Sequence, residues 1–181
     1  MNRWLGVLLV LFIAVWNAGC TVSLTDRFMT ATAASAGSDV TVVRVVTGQT
    51  LEVQRSPEAD PVTVRLLGLD APDIQQAPWG EQSTQFLRQW LEGQTVQLES
   101  DREERDRFGR PLAYVWFDQQ LVNEQLILSG WALAVTRSPN LRYDERLHHA
   151  QAVARTLHRG IWNRDEPLRQ SPADFRRSQP Q

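Results

Sequence analysis

Alternation of apolar and polar positions predicts five β-strands along this chain. The predicted strands span residues 40 to 46, 51 to 54, 61 to 69, 95 to 99 and 112 to 117. The first two are β-branched runs on either side of Gly48, which is the pattern of a tight hairpin turn. In the third, Val62, Val64 and Leu66 lie two residues apart and therefore share one face. The first three strands are thus expected to form a meander.

Apolar positions three and four residues apart predict three helices. The predicted helices lie within residues 81 to 91, 123 to 130 and 143 to 157. Gly93 fits the left-handed residue that ends the first helix, and Asn123 is a favourable N-cap for the second. The third carries an apolar stripe that ends before Gly160. This order of elements is compatible with an α+β fold, a five-stranded OB-fold barrel capped by three helices.

The N-terminal end differs from this central part. Residues 1 to 20 are typical of an export signal, because Arg3 precedes an apolar run and small residues precede Cys20, the single cysteine. Their ending resembles the lipobox of bacterial lipoproteins, in which Cys20 is lipidated, although Asn17 occupies a place usually held by an aliphatic residue. The alternative is an uncleaved membrane anchor over residues 4 to 22. Both predict a domain tethered to a membrane outside the cytoplasm, in the bacterial cell envelope, and metabolic labelling with a fatty acid distinguishes them.

Polar segments flank the predicted domain, which spans residues 40 to 162. Residues 21 to 39 are rich in Thr, Ala, Ser and Gly and predict a flexible linker. Residues 163 to 181 are rich in Arg, Gln, Ser and Pro and predict a disordered tail. Because the chain has one cysteine, no internal disulfide can form, and the domain must be stabilised by packing.

The charge of the chain does not favour attraction of the whole protein to nucleic acid. The 181 residues have a net charge of -2, and residues 40 to 162 contain 13 arginines against 16 acidic residues, a net charge of -3. A protein of this charge has no overall attraction to nucleic acid. All 19 basic residues are arginine, which a genome-wide coding bias explains more simply than phosphate recognition does.

Candidate chemistry lies where two strands meet charged turns. The third strand carries Arg65 and turns directly into Asp70 and Asp73. The segment before the last strand carries Arg107 and Arg110. Arginine forks beside carboxylates suit phosphate chemistry, so the two segments predict a phosphodiesterase site. The structural alternatives are a turn capped by the two carboxylates and a solvated loop of mixed charge.

The same segments resemble the staphylococcal nuclease-like, or thermonuclease-like, domain family. The resemblance covers residues 40 to 162 and rests on RLLGLDAP, DRFGRPLAYV, LVNEQLILSGWA and the ending Gly160-Ile161-Trp162. It implies an OB-fold barrel with three helices. It further implies a calcium-dependent endonuclease that hydrolyses phosphodiester bonds of DNA and RNA, and we expect a single strand as the substrate.

The resemblance also implies roles for individual residues. Arg65 and Arg110 match the two arginines that contact the scissile phosphate. Asp70 and the backbone carbonyl of Ala71 match calcium ligands, and such oxygen ligands suit a hard cation. Asp73 falls where the family uses a glutamate as a general base or to orient the attacking water.

Three positions depart from the pattern of active family members. Gln49 offers a neutral amide where those members place a second calcium-binding carboxylate. Asp73 is one methylene shorter than glutamate, and a displacement of about an ångström costs roughly 100-fold in rate. Phe108 stands where a tyrosine hydroxyl often assists phosphate binding. We therefore expect a nuclease of reduced activity.

Three side chains are candidates for contact with the substrate. Arg107 lies in the same charged segment as Arg110, and the rings of Phe108 and of Trp79, expected in the loop after Asp73, suit stacking on bases. The alternative to a nuclease is a catalytically inactive OB-fold module that binds nucleic acid or another anionic phosphorylated ligand at the cell envelope. A third hypothesis is an envelope interaction domain that uses the fold alone.

Overall fold

A computed structural model of the chain describes residues 38 to 179. Its β-strands are Ser38–Thr47 (β1), Thr50–Gln54 (β2), Val62–Leu66 (β3), Leu69–Asp70 (β4), Thr95–Glu99 (β5), Leu112–Phe117 (β6), Gln120–Leu121 (β7) and Leu133–Ala134 (β8). Its helices are Trp79–Leu91 (α1), Val122–Leu128 (α2), Asp144–Thr156 (α3) and Pro172–Ser178 (α4), and Gly160–Trp162 forms a 3-10 turn. The five predicted strands are all present. The three additional strands are two residues long.

Five strands close into a barrel. They follow the order β3-β2-β1-β5-β6, and a parallel pairing of β3 with β6 joins the two ends. In that pairing Arg65 lies opposite Leu112, and Leu66 lies opposite Ala113. Closure leaves neither β3 nor β6 as an unpaired edge. The predicted five-stranded OB-fold barrel is therefore confirmed.

The interior of the barrel is filled by aliphatic side chains in alternation. On β1, Val40 and Val42 are buried two residues apart, and a register shift against β2 then makes Val45 the next buried residue. An irregularity of this kind bends the strand, which a small closed barrel requires. The helix α1 packs against β1 and buries Leu87 and Leu91 completely. The barrel and its helices thus share one apolar core.

Asn123 has a different role from the helix cap that the sequence predicts. It lies inside α2, is fully buried, and joins two other parts of the chain. Its Oδ1 accepts a hydrogen bond from the backbone N–H of Val115 at 2.9 Å, and its Nδ2 donates to the carbonyl of Leu67 at 2.9 Å. The side chain therefore connects α2 to β6 and to the residue that follows β3.

The segment after the 3-10 turn differs from the predicted disordered tail, because it contains α4. Within residues 38 to 179 the barrel therefore has four α-helices, where the sequence predicts three. The side chain of Ser171 caps α4 by accepting a hydrogen bond from the N–H of Asp174 at 3.1 Å, and the first helical residue, Pro172, is buried. Leu168 donates its N–H to the carbonyl of Ile161 at 2.8 Å. A helix cap and a few apolar contacts are thus enough to order a segment of polar composition.

The predictions for the N-terminal end lie outside the described residues. These predictions are the export signal, lipidation of Cys20 and almost all of the linker. No helix within residues 38 to 179 combines the length and the apolar character that crossing a membrane requires.

Candidate functional site

A cleft of about 750 Å³ opens on one side of the barrel. Its walls come from the hairpin between β1 and β2, from β3, from the loop that precedes β6, and from α4. Among residues 38 to 179 it is lined by five arginines, which are Arg65, Arg107, Arg110, Arg137 and Arg176. Glu103 and Asp106 are the acidic residues in the same lining. The cleft is therefore locally cationic, although the domain as a whole is acidic.

Arg65 lies at the centre of this charge. It projects from β3, its side chain is 15% exposed, and its Nη2 lies 3.4 Å from both the Leu69 carbonyl and Oδ1 of Asp70. Burial lowers the pKa of Arg65 to about 10, and the charge of Asp70 works in the opposite direction. The charges of Arg137, Arg176 and Arg110, which line the same cleft, lower it further. Arg65 nevertheless remains charged at neutral pH.

The loop before β6 holds Arg110 in a fixed position. Asp106 accepts hydrogen bonds from the N–H groups of Phe108 and Arg110, and also from Nε of Arg110 at 2.8 Å. Desolvation raises the pKa of Asp106, but the hydrogen bonds from Arg110 and Phe108 hold it below its usual value. Gly109 has a φ of +80°, which a residue with a side chain rarely adopts. The tract DRFGR thus forms a turn that orients Arg110.

Asn140 anchors the start of the same loop. It is almost fully buried, and its side chain bonds to both backbone groups of Glu103, at 2.8 and 2.9 Å. This charged loop is therefore fixed at both ends, whereas a solvated loop of mixed charge needs no such anchors.

Phe108 is the most exposed large apolar side chain of the cleft, at 68%. The guanidinium carbons of Arg107 and Arg110 lie 4.7 and 5.5 Å from the centre of its ring. An aromatic face held by two cations and open to solvent suits stacking on a nucleic-acid base. The structure thus places the predicted contacts Arg107 and Phe108 together at the cleft.

Replacing Phe108 with alanine should weaken the binding of a single-stranded oligonucleotide by roughly 5- to 100-fold, the usual contribution of one stacked base. Because the ring is exposed, the melting temperature should stay close to that of the parent. Fluorescence anisotropy measures the affinity, and Leu157→Ala, at an exposed apolar residue outside the cleft lining, is the matched control. Equal losses of affinity in the two variants would contradict a stacking role.

Gln49, Asp70 and Ala71 lie together beneath the cleft. Oε1 of Gln49 accepts a hydrogen bond from the N–H of Ala71 at 2.8 Å. The carboxylate of Asp70 is 3% exposed, and Nη2 of Arg176 lies 2.8 and 2.7 Å from its two oxygens. The structure therefore brings the three predicted calcium ligands together, but each of the two side chains already has a protein partner.

The donors in this arrangement do not fit a calcium ion. Calcium takes six to eight oxygens, and its affinity depends on the number of charged ligands. Here Asp70 is a single carboxylate held by Arg176, and the amide oxygen of Gln49 is held by Ala71. In the described part of the chain, no three side chains of His, Cys, Asp or Glu are grouped to hold a metal. No chemical step is therefore assigned to calcium.

Neither Asp73 nor Trp79 belongs to the cleft lining. The Oδ1 of Asp73 accepts a hydrogen bond from the N–H of Gln75 at 3.1 Å, which is the turn-capping alternative for this residue. Trp79 is the first residue of α1 and is 7% exposed, with its ring packed on Trp131 at 6.3 Å. The expected loop position of Trp79 is wrong because α1 begins two residues earlier than predicted. Trp79 is thus a core residue and is not open for stacking.

Two arginines of the cleft, Arg137 and Arg176, are absent from the predicted site. Arg137 follows the two-residue strand β8, which is too short to show a periodic pattern. Arg176 lies in the segment predicted to be disordered. The one available signal for Arg176 was the run Ser171-Pro172-Ala173-Asp174, in which a capping residue precedes proline and an acidic residue, as at the start of many helices.

Comparison with known proteins gives consistent results. A family model described as "Staphylococcal nuclease homologue" matches residues 63 to 164. The thermonuclease of Staphylococcus hyicus is 36% identical over 127 residues, which cover 67% of this chain and 74% of that protein. The thermonuclease of Staphylococcus intermedius is 34% identical over 71% of this chain and 78% of its own length. Endonuclease YncB of Bacillus subtilis is 31% identical over 70% of this chain and 62% of its own length. The family match includes every arginine of the cleft lining except Arg176.

Proposed function

The chain belongs to the family of staphylococcal nuclease homologues, and we propose that its cleft binds a single strand of DNA or RNA and hydrolyses its phosphodiester bonds at a reduced rate. The observation that supports this most is the grouping of five arginines in the cleft lining of residues 38 to 179, on a domain that is otherwise acidic. Arginine is well suited to phosphate because its planar fork donates paired hydrogen bonds. The relatives named thermonuclease and endonuclease support the same substrate class.

In this proposal Arg65 and Arg110 stabilise the charge that develops on the phosphoryl oxygens. Donors are most effective when they are held in place before the reaction, because no reorganisation is then needed. Arg65 is held by its burial in β3, and Arg110 is held by Asp106 through Nε and Nη2. Both guanidinium groups keep further N–H donors for a phosphate, since each has five.

The reduced rate follows from what the cleft lacks. Hydrolysis needs a group that orients or deprotonates water, and Asp73 is engaged in a turn outside the cleft lining. Of the two acidic residues that line the cleft, Asp106 is held by Arg110, and Glu103 is exposed and fixed through its backbone alone. The phosphate-binding part of the site is therefore better formed than the water-activating part.

A second candidate function is binding without hydrolysis. The turn-capping position of Asp73 and the neutral amide of Gln49 favour it, because neither supplies a free carboxylate to the cleft. The ligand is then a nucleic-acid strand or another anionic phosphorylated molecule. Incubation of labelled single-stranded DNA and RNA with the full chain, followed by gel electrophoresis and anisotropy, separates the candidates. Cleavage products support the nuclease, and binding with intact strands supports the second candidate. The absence of both cleavage and binding would overturn the proposed function.

Calcium should increase cleavage by Gln49→Asp about tenfold or more over the rate of the same variant in chelator, because the aspartate adds a charged ligand beside Asp70. Gln49→Asn is the matched control, since it has the same length as aspartate and carries no charge. Cleavage rates in calcium and in chelator provide the measurement. A gain in both variants would trace the effect to the shorter side chain and would contradict a missing carboxylate as the cause.

A further inference from the structure

Arg176 occupies the position at which Asp70 would otherwise meet a cation. Its Nη2 donates to both carboxylate oxygens, at 2.8 and 2.7 Å, whereas Nη2 of Arg65 lies 3.4 Å from one of them. The carboxylate of Asp70 is 3% exposed, and a buried carboxylate needs a partner of opposite charge. Arg176 is therefore the main counter-charge of Asp70.

Two hydrogen bonds attach the segment that leads into α4 to the rest of the domain. The N–H of Leu168 donates to the carbonyl of Ile161 at 2.8 Å. Nε2 of Gln76 donates a hydrogen bond to the carbonyl of Gln170 at 2.6 Å. These contacts hold α4 beside the cleft independently of the ion pair, so Arg176 has a defined position.

Arg176 also faces the cleft. Its contacts with Asp70 use one terminal nitrogen, Nη2, and its Nη1 and Nε have no hydrogen-bond partner within residues 38 to 179. The side chain is 36% exposed and belongs to the cleft lining together with Arg65 and Arg110. A guanidinium in this position can bind a carboxylate on one edge and an anion on another.

We propose that Arg176 is the resident cation of the cleft, taking the place of a metal ion at Asp70 and donating its remaining N–H groups to a bound phosphate. Binding of a nucleic-acid strand then requires no calcium. The inference rests on the proposed function, because the ligand is the strand bound there. It concerns a residue outside the family match, which ends at residue 164.

The test uses the full chain, purified in mild detergent, and a fluorescent, phosphorothioate-linked single-stranded DNA that resists cleavage. In the parent, affinity in chelator and in millimolar calcium should agree within about twofold. Arg176→Gln should weaken binding about tenfold, the effect of one lost charge-assisted hydrogen bond. Arg177→Gln is the matched control, because Arg177 is 77% exposed and pairs with Asp174 instead.

Thermal unfolding, followed by tryptophan fluorescence, gives a readout that needs no nucleic acid. Arg176→Gln should lower the melting temperature by about 5 °C, because Asp70 loses its nearest partner. Calcium should raise the melting temperature of this variant and leave that of the parent unchanged. The effect of calcium on the melting temperature of the parent decides whether calcium binds at Asp70. This part of the test therefore does not depend on how well the variant folds.

The outcomes separate this inference from the proposed function. Calcium that tightens binding by the parent, or raises its melting temperature, would overturn the role of Arg176 as resident cation, and so would parent-like binding by Arg176→Gln. Absence of binding by the parent in both conditions would instead overturn the proposed function. The melting temperatures would then still show whether Arg176 excludes calcium from Asp70.

Discussion

Replacing Arg65 with alanine should lower the rate of phosphodiester cleavage by about 100- to 1,000-fold, the usual effect of removing one preorganised donor to a developing anion. Among the cleft arginines that pair with a carboxylate, Arg65 is the most buried. Its side chain is 15% exposed, so solvent screens its charge poorly. Burial lowers the pKa of Arg65 to about 10, and the group still remains charged at neutral pH. Charged groups whose pKa values are shifted by burial are characteristic of functional sites. Cleavage of a labelled single strand under single-turnover conditions measures the loss.

Two further variants identify the cause of this loss. Arg88→Ala removes an arginine on the surface of α1 that pairs with Glu92, and it should leave the rate unchanged. Arg65→Lys keeps the positive charge but removes the planar fork, so it should recover part of the activity. The alanine variant should still fold, because Asp70 retains its two contacts with Arg176. Cleavage at the parent rate in Arg65→Ala would refute the mechanism.

The barrel could be predicted because its strands are long enough to show a period. The strands β1, β2, β3, β5 and β6 have five residues or more, and these are the strands that close. The short strands β4, β7 and β8 have two residues each, so their pairing depends on neighbours distant in sequence. Such pairings are consequences of the closed fold and have no local signal.

The sequence pattern pointed to residues of the cleft lining where a charged residue interrupted an apolar strand or directly preceded one. Arg65 and Arg110 fit that description, and both line the cleft. The expected role of Asp73 rests on the family resemblance and that of Trp79 on a place in a loop, whereas in the structure Asp73 caps a turn and Trp79 packs in the core. Arg176 was missed because its segment is polar, and that segment is held by hydrogen bonds to residues distant in sequence, Gln76 and Ile161. A residue could be assigned from the sequence when its role depends on the residues next to it in the chain. It could not be assigned when its role depends on contacts with distant segments.

Local charge and total charge give opposite expectations for this domain, and the structure explains why. The net charge of -3 over residues 40 to 162 argues against long-range attraction to nucleic acid. Four of the arginines within that range, together with Arg176, nevertheless face one cleft. Recognition is therefore expected at short range, and it should depend on a few defined contacts more than on overall steering.

Asn123→Ala should reduce the free energy of unfolding by about 3 kcal/mol, because it leaves two buried backbone groups without a partner. These groups are the N–H of Val115 and the carbonyl of Leu67. Val115 and Leu67 are 0% and 2% exposed, so water has little access to the groups that lose their hydrogen bonds. Urea denaturation followed by tryptophan fluorescence measures the change.

The matched control is Gln125→Ala, because Gln125 lies on the same helix, is partly exposed, and ranks close to alanine in helix propensity. It should change the free energy of unfolding by less than about 0.5 kcal/mol. Leu67 lies two residues beyond Arg65 and borders the cleft, so Asn123→Ala should also weaken oligonucleotide binding by loosening the end of β3. Equal stability losses in the two variants would show that α2 packing, and not the buried amide, connects this helix to the barrel.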